Sequence, residues 1–299
     1  MIKRTTFLIF IILTTAVSFV SAEGEESADL LRSPDILASG GSYTSTVSPM
    51  ADIINPAASA LQQRLAFNLN FNALFADDTV TGYNGSALNL GAAIPLRAGV
   101  ITASGYFLGT ESLNEINAGA QGGLRAGFAK ELYPGLLTGI ALNSGFGESW
   151  ALSADLGFIK DEGDLGFMKN MSWGVVLGEL GYSGFTTTDY PSVFNLGGGI
   201  SFDLIDKENI VFGMNSDISF PTFSNIRLNI GADLSLFDFA GLQFSSTADL
   251  VELIAGDASA LIPAFGVYFN FKTNFEDNDL SDRGWAQNDI RTSASASPM

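Results

Sequence analysis

The chain has 299 residues, with 32 acidic and 14 basic side chains, a formal net charge of −18, and neither cysteine nor histidine. This composition excludes disulfide bonds, thiolate nucleophiles and histidine-based catalytic triads. The negative charge argues against nucleic acid as a partner, because nucleic-acid phosphates are bound by Lys and Arg. We therefore expect no enzymatic activity, no cofactor and no metal site.

Residues 1–22 have the features of a secretory signal peptide. A basic pair, Lys3 and Arg4, precedes an apolar run over residues 7–17, and the small residues 20–22 form a cleavage site. We expect export and cleavage after residue 22. An uncleaved membrane anchor is the alternative, but the apolar run is short for a spanning helix and the acidic sequence EGEE follows it at once.

Residues 23–62 show no strand-like alternation. Near their end, a short helix is predicted over residues 57–63, with Asn55 as its N-cap and Pro56 at its first position. A segment of this kind ahead of the first strand is a candidate for a plug inside a barrel. We call residues 23–62 the hatch.

Residues 63–273 contain twelve segments in which apolar and polar side chains alternate, as in LAFNLNFNALF at 65–75. A period of two is typical of β-strands. Short Pro/Gly or charged turns alternate along the chain with longer polar loops, which is the pattern of an up-and-down meander. The sequence therefore predicts an all-β fold, an up-and-down antiparallel transmembrane β-barrel.

The two faces of the predicted strands differ in polarity. The apolar face is almost free of charge, as a lipid-facing surface must be, since a charge there costs about 2–4 kcal/mol at mid-membrane. A soluble barrel would show a similar pattern, but the signal peptide and the number of strands favour the membrane. The polar side chains expected to face the lumen are Asn68, Asn70, Asn72, Arg125, Asp155, Asp203 and Asp233.

The glycines of NLGGGISF, among them Gly197 and Gly199, fall on the same inward face. We expect them to give room to a packed segment in the lumen. Residues 274–299 are polar and end in Met299 rather than in a strand with a terminal aromatic residue. We interpret them as a polar tail, or as a link to further strands.

The order of these segments resembles the FadL-type outer-membrane transporters of hydrophobic compounds, and most of all their little-characterised spirochaetal branch. The specific motif is Asn55, Pro56 and Ala57, placed between a signal peptide and the first strand. The resemblance implies that the hatch lies inside the barrel and that this motif helps to fix it. It also implies about fourteen strands in a full-length chain, and a lateral gate where the third strand kinks inward, for which Ala103, Ser104 and Gly105 are small enough.

The function that the resemblance implies is passive transport, across the outer membrane of a Gram-negative-type envelope, of hydrophobic or amphipathic small molecules such as long-chain fatty acids. The expected partners are outer-membrane lipid, the hydrophobic solute and the barrel-assembly machinery. A non-transporting surface protein, either an adhesin or an assembly accessory barrel, is the alternative, although short predicted loops favour transport. A water-filled porin is a third interpretation, against which a hatch in the lumen argues.

Overall fold

The computed structural model describes residues 15–21, 36, 42–44, 48–75, 84–109, 120–147, 150–183, 194–221, 223, 225–256, 260–273 and 288–298. Most of the predicted signal peptide, and residues 23–35, 37–41 and 45–47 of the hatch, lie outside these ranges. None of the helices in the described ranges is long and apolar enough to cross a membrane.

One sheet of β-strands makes up most of the described structure. Its thirteen antiparallel strands are β2 (Ala66–Phe75), β3 (Asn84–Leu96), β4 (Gly99–Gly109), β5 (Ala120–Tyr133), β6 (Leu136–Gly147), β7 (Trp150–Leu165), β8 (Met168–Ser183), β9 (Asn195–Lys207), β10 (Ile210–Pro221), β11 (Arg227–Leu236), β12 (Ala240–Asp249), β13 (Leu261–Thr273) and β14 (Asn288–Pro298). Each pairs with its neighbours in sequence, so the prediction of an up-and-down antiparallel β-barrel fold is confirmed.

The twelve predicted strands correspond to β2–β13, but residues 288–298 form a further strand, which the interpretation of 274–299 as a polar tail did not foresee. Asn288–Pro298 forms β14, which pairs with β13 along its length. Its inward residues include the buried Ser293 and Ser295. Alanine alternates with serine in this strand, so the contrast between its faces is weaker than in the other strands, and the sequence pattern did not reveal it.

A further strand, β1 (Thr15–Ser21), lies between the two ends of the antiparallel sheet. It pairs in parallel with β14 on one side and with β2 on the other, and the strand order closes through it. Its residues belong to the predicted signal peptide, whose removal stays a prediction.

The two ends of the barrel differ in their connections. Short turns join β3 to β4, β5 to β6, β7 to β8, β9 to β10 and β11 to β12 at one end, which we call the turn side. The opposite end is the loop side, where the six-residue helix α1 (Leu250–Ala255) connects β12 to β13. The Asp249 side chain caps α1, and Gly256 ends it with a φ of 95°.

Side-chain exposure separates the two faces of the wall. In β2, Phe71 is 46% exposed, whereas its neighbours Asn70 and Asn72 are 1% and 0% exposed. The same alternation recurs in β3, where Leu88 and Leu90 are exposed and Ala87 and Asn89 are buried. Most large apolar side chains therefore point outward, and most inward side chains are polar or small, with exceptions such as Leu137 and Ile159.

The described part of the hatch lies inside the barrel and forms two 3-10 helices, Ala51–Ile53 and Pro56–Leu61. Ala51, Ala57 and Ala58 pack against the inward side chains Leu137 and Ile159. The buried apolar core is thus a contact between the hatch and the wall, rather than between two sheets.

If β14 is part of the wall, deleting residues 288–299 should expose the backbone of β13 and greatly reduce the amount of folded barrel, because an unpaired strand edge leaves its N–H and C=O groups without partners. Heat-modifiable migration in gel electrophoresis measures the folded fraction. As a control, replacing residues 277–284 by a Gly/Ser sequence of equal length should leave the folded fraction unchanged. Equal folding of the deletion variant would contradict the assignment of β14.

Candidate functional site

Asn55 links two parts of the hatch to each other and links the hatch to the wall. Its side chain is fully buried, and its Nδ2 donates to the carbonyl oxygen of Tyr43 at 2.9 Å and to that of Phe158 in β7 at 3.4 Å. Its Oδ1 accepts the N–H of Ala57 at 3.0 Å, which caps the helix Pro56–Leu61. One amide side chain thus bonds a helix N-terminus and two carbonyl groups.

Two facing glycines allow this part of the hatch to touch the wall. Gly139 of β6 and Gly157 of β7 are cross-strand partners. A Cβ atom at Gly139 would overlap the backbone of Pro56, and one at Gly157 would overlap the Asn55 side chain and lie 3.0 Å from the Ala57 nitrogen. The absence of side chains at both positions therefore sets how deeply the motif Asn55, Pro56 and Ala57 seats against the wall.

Asp52 joins the hatch to the wall through an ion pair. Its carboxylate Oδ2 accepts from Thr102 Oγ1 in β4 at 2.9 Å and from Arg125 Nε in β5 at 3.1 Å, and Arg125 also donates to the Asp52 carbonyl oxygen. The Asp52 side chain is fully buried and that of Arg125 is 10% exposed. Removing one partner of such a buried pair leaves a charge without compensation.

Arg125 also donates hydrogen bonds to side chains in the loop-side half of the wall. Arg125 Nη1 donates to Asn143 and to Asp155, and Asn143 Nδ2 donates to Asp155 Oδ2 at 3.0 Å. The other carboxylate oxygen of Asp155 accepts the backbone N–H of Glu179 at 2.6 Å. Arg125 therefore lies between two carboxylates, one from the hatch and one from the wall.

A second anchor holds an earlier part of the hatch to β10. Asp217 Oδ1 accepts from the Tyr43 N–H at 3.0 Å and from Ser42 Oγ at 3.3 Å, while its Oδ2 accepts from Asn215 and Asn229. Because β10 and the β4–β5 pair are well separated in the strand order, the hatch is attached to distant parts of the wall.

The inward glycines of β9 give room as predicted. A Cβ atom at Gly197 would overlap the ring of Tyr43 from the hatch, and one at Gly199 would overlap the Asp217 side chain. The expectation of space for a packed segment is therefore confirmed at Gly197, and at Gly199 the space holds the carboxylate that binds that segment.

Cavities lie on both sides of the hatch. The loop-side cavity has a volume of about 290 Å³, and its lining includes Met50 and Ile54 of the hatch with Arg125 and Asp155 of the wall. The turn-side cavity has a volume of about 450 Å³, and its lining includes Thr44 and Leu61 of the hatch. The described part of the hatch thus separates two spaces inside the barrel.

The predicted lumen-facing residues fall into three groups. Arg125 and Asp155 line the loop-side cavity. Asp203 and Asp233 line the turn-side cavity, where Tyr268 Oη donates to Asp233 at 3.2 Å and the Arg291 guanidinium lies 3.8 Å from the centre of the Tyr268 ring. The third group, Asn68, Asn70 and Asn72, is buried on the inner face of β2.

The structure shows no break at the predicted lateral-gate residues Ala103, Ser104 and Gly105. β4 pairs with β3 and with β5 through these residues without a register shift. The irregularity next to the loop-side cavity lies between β7 and β8 instead, where the register shifts after Ala154 and Glu179 has a φ of 62°.

Several anchoring residues were not found from the sequence, namely Met50, Asp52, Thr102 and Gly139. Gly139 lies at an inward position of the alternating pattern, which is the only signal that pointed to it. No sequence pattern pointed to Asp52, because its hydrogen-bond partners Thr102 and Arg125 lie 50 and 73 residues further along the chain.

Within the described ranges, no group of three or more Asp or Glu side chains is arranged to hold a metal ion. Neither a family profile nor a curated protein sequence matches the chain. The resemblance to FadL-type transporters therefore depends on the motif and on the order of segments.

The contact at Gly157 can be tested by adding one methyl group. Gly157→Ala should displace Asn55 from its site and lower the free energy of unfolding by about 1–3 kcal/mol, the usual range for overpacking. The matched control is Gly178→Ala in β8, where an added Cβ atom would meet nothing closer than 3.6 Å. Urea titration of the folded barrel measures both. Similar effects of the two variants would contradict the close approach of the hatch.

Loss of the buried ion pair should be costly. Arg125→Met should reduce the free energy of unfolding by about 3–5 kcal/mol, because Asp52 and Asp155 then stay buried without a counter-charge. The control is Lys169→Met, which breaks a 2.5 Å ion pair with Asp164 whose side chains are 43% and 56% exposed. That change should cost about 0–1 kcal/mol in the same titration. A small effect at both positions would show that Arg125 is not buried between the carboxylates.

Proposed function

We propose that the protein is an outer-membrane barrel whose hatch controls the passive passage of hydrophobic or amphipathic small molecules. The observation that carries the proposal is the described hatch, which is anchored to separate parts of the wall and has a cavity on each side. Apolar solutes dissolve poorly in water, so a site that captures them and a segment that moves serve them better than an open aqueous pore.

Membrane location is supported by the outer surface of the wall. Phe107, Leu124 and Leu142 are 59%, 63% and 57% exposed, and side chains of the same kind cover most of the outward positions. Apolar surface of this extent is unusual in a soluble monomer, whereas lipid covers it in an outer-membrane barrel. The predicted signal peptide supports export, and assembly in that membrane would involve lipid and the barrel-assembly machinery.

The solute class is supported by the lining of the cavities. The loop-side cavity brings apolar side chains such as Met50, Ile54 and Val176 together with polar ones such as Ser153 and Asn143. A mixed lining of this kind suits a molecule with an apolar body and a polar head. Long-chain fatty acids are the example that the resemblance implies.

A non-transporting surface protein is the second candidate, and α1 is the observation that favours it. Val251, Leu253 and Ile254 of this loop-side helix are 50%, 41% and 84% exposed. Exposed apolar side chains on a connection can contact a partner. In that case the hatch would be a structural filling of the barrel, with no role in passage.

Deletion of residues 23–62 tests the proposal. The wall should still fold, because its hydrogen bonds are made from strand to strand, but a nearly silent protein should become a conducting channel in planar bilayers. Replacement of residues 250–255 of α1 by a Gly/Ser sequence is the control and should leave conductance low. If the deletion variant and the intact protein conduct alike, the hatch does not close the lumen and the surface-protein candidate is favoured.

A further inference from the structure

The positive charge that lines the loop-side cavity, on the Arg125 side chain, is already paired with acidic groups of the protein. Arg125 is the only basic side chain among the described residues that line it. Its Nε donates to the Asp52 carboxylate, its Nη2 donates to the Asp52 carbonyl oxygen, and its Nη1 donates to Asn143 and Asp155. Four of the five N–H groups of the guanidinium therefore donate to the protein's own acceptors, which leaves one Nη2 N–H and no bidentate face for a ligand carboxylate.

The charges around this cavity sum to a negative value. Arg125 contributes one positive charge, whereas Asp52 behind it and Asp155 beside it contribute two negative charges. Glu179 also lines the cavity, and its side chain is exposed. Because buried and partly buried charges are weakly screened by salt, an incoming anion meets net repulsion here. An uncharged molecule does not.

A neutral hydrogen-bonding group is present in the cavity wall. Asn89 of β3 lines the cavity and is fully buried, and neither its Oδ1 nor its Nδ2 has a hydrogen-bond partner among the described residues. Its cross-strand partner Asn70 likewise has an Oδ1 without a described partner, while its Nδ2 contacts the Met50 sulfur at 3.2 Å. Buried amides without partners are costly, so a ligand that supplies both a donor and an acceptor would be stabilised here once the flexible Met50 side chain shifts.

We propose that the loop-side cavity binds amphiphiles whose head group is uncharged, such as a hydroxyl or a primary amide, and disfavours ionised carboxylates. The inference rests on the proposed transport function, because it names the class of solute that the cavity admits. The apolar lining holds the body of the solute, Asn89 bonds its head, and the paired arginine gives an anion no compensation.

Binding of 1-decanol and of decanoate separates these head groups at equal chain length. Each radiolabelled compound is brought to equilibrium by dialysis with two samples, detergent micelles alone and micelles that hold the intact barrel. The pH is about 7.5, where a carboxylic acid is ionised. Subtracting the amount of compound taken up by micelles without protein removes the contribution of partitioning into the detergent. We expect decanol to bind at least about tenfold more tightly than decanoate, the effect of one uncompensated like charge at short range.

Variants identify the source of the preference. Asp155→Asn and Glu179→Gln each remove one negative charge and should strengthen decanoate binding severalfold relative to decanol binding. Glu179 is exposed, so its variant tests the charge even if Asp155→Asn fails to fold. Asn89→Leu should weaken decanol binding. The control is Asp238→Asn in the exposed turn between β11 and β12, where φ is 52° and Asn is tolerated; it should change neither.

If decanoate binds the wild-type protein as tightly as decanol does, the inference is overturned while the proposed transport of amphiphiles stands. If neither compound binds beyond empty micelles, the inference is also overturned, and the conductance of the hatch deletion then decides separately whether the transport proposal survives. Preference for decanol that persists unchanged in both charge variants would likewise contradict the role given to the acidic side chains.

Discussion

The backbone of residues 55–57 lies against the wall at Gly139 and Gly157, and the arrangement of the interior depends on this approach. Because neither glycine has a side chain, the hatch reaches the strands β6 and β7 themselves, and Asn55 can bond the Phe158 carbonyl oxygen. The depth reached here also determines where the preceding turn of the hatch, Ala51–Ile53, lies. Asp52, three residues earlier, is thereby brought to Thr102 and Arg125.

The wall has mostly apolar side chains outside and polar side chains inside, the reverse of a soluble barrel. The hatch makes this arrangement possible. Inward polar side chains need partners once they are removed from water. The hatch supplies some of them: Ser42 and the Tyr43 N–H donate to Asp217, and Asp52 accepts from Thr102 and Arg125. The hatch is therefore both a filling of the lumen and a source of hydrogen bonds to its inner surface. A movement of the hatch out of this position would break these bonds together.

The sequence alone predicted the strands well, because alternation of side-chain polarity is a local property that each strand carries by itself. β2–β13 were found in this way, and so were the hatch helix with its Asn55 cap and the inward glycine Gly197. β14 was missed because its outward residues include alanines, which differ less in hydropathy from the inward serines than the large apolar residues of the other strands do. The strand β1 could not be foreseen, since its residues fit a signal peptide equally well.

The anchors of the hatch were beyond prediction for a different reason. The Asp52–Arg125 and Tyr43–Asp217 contacts join residues that are 73 and 174 positions apart, and their pairing depends on how the barrel closes. A single sequence shows which inward residues are polar, but it does not show which of them meet. The lateral gate at Ala103, Ser104 and Gly105 was taken from the family resemblance alone, and it stays a prediction for a strand whose pairing is continuous.

A cysteine pair across the contact between hatch and wall tests whether the hatch occupies the lumen. The chain has no cysteine of its own, so Asp52→Cys with Thr102→Cys introduces the only two thiols, at side chains whose polar atoms lie 2.9 Å apart. Asp52→Cys with Thr138→Cys is the comparison. Mass spectrometry after mild oxidation of the folded barrel should find a disulfide in the first pair and none in the second. Absence of the disulfide from the first pair, or equal formation in both, would contradict a hatch anchored inside the barrel.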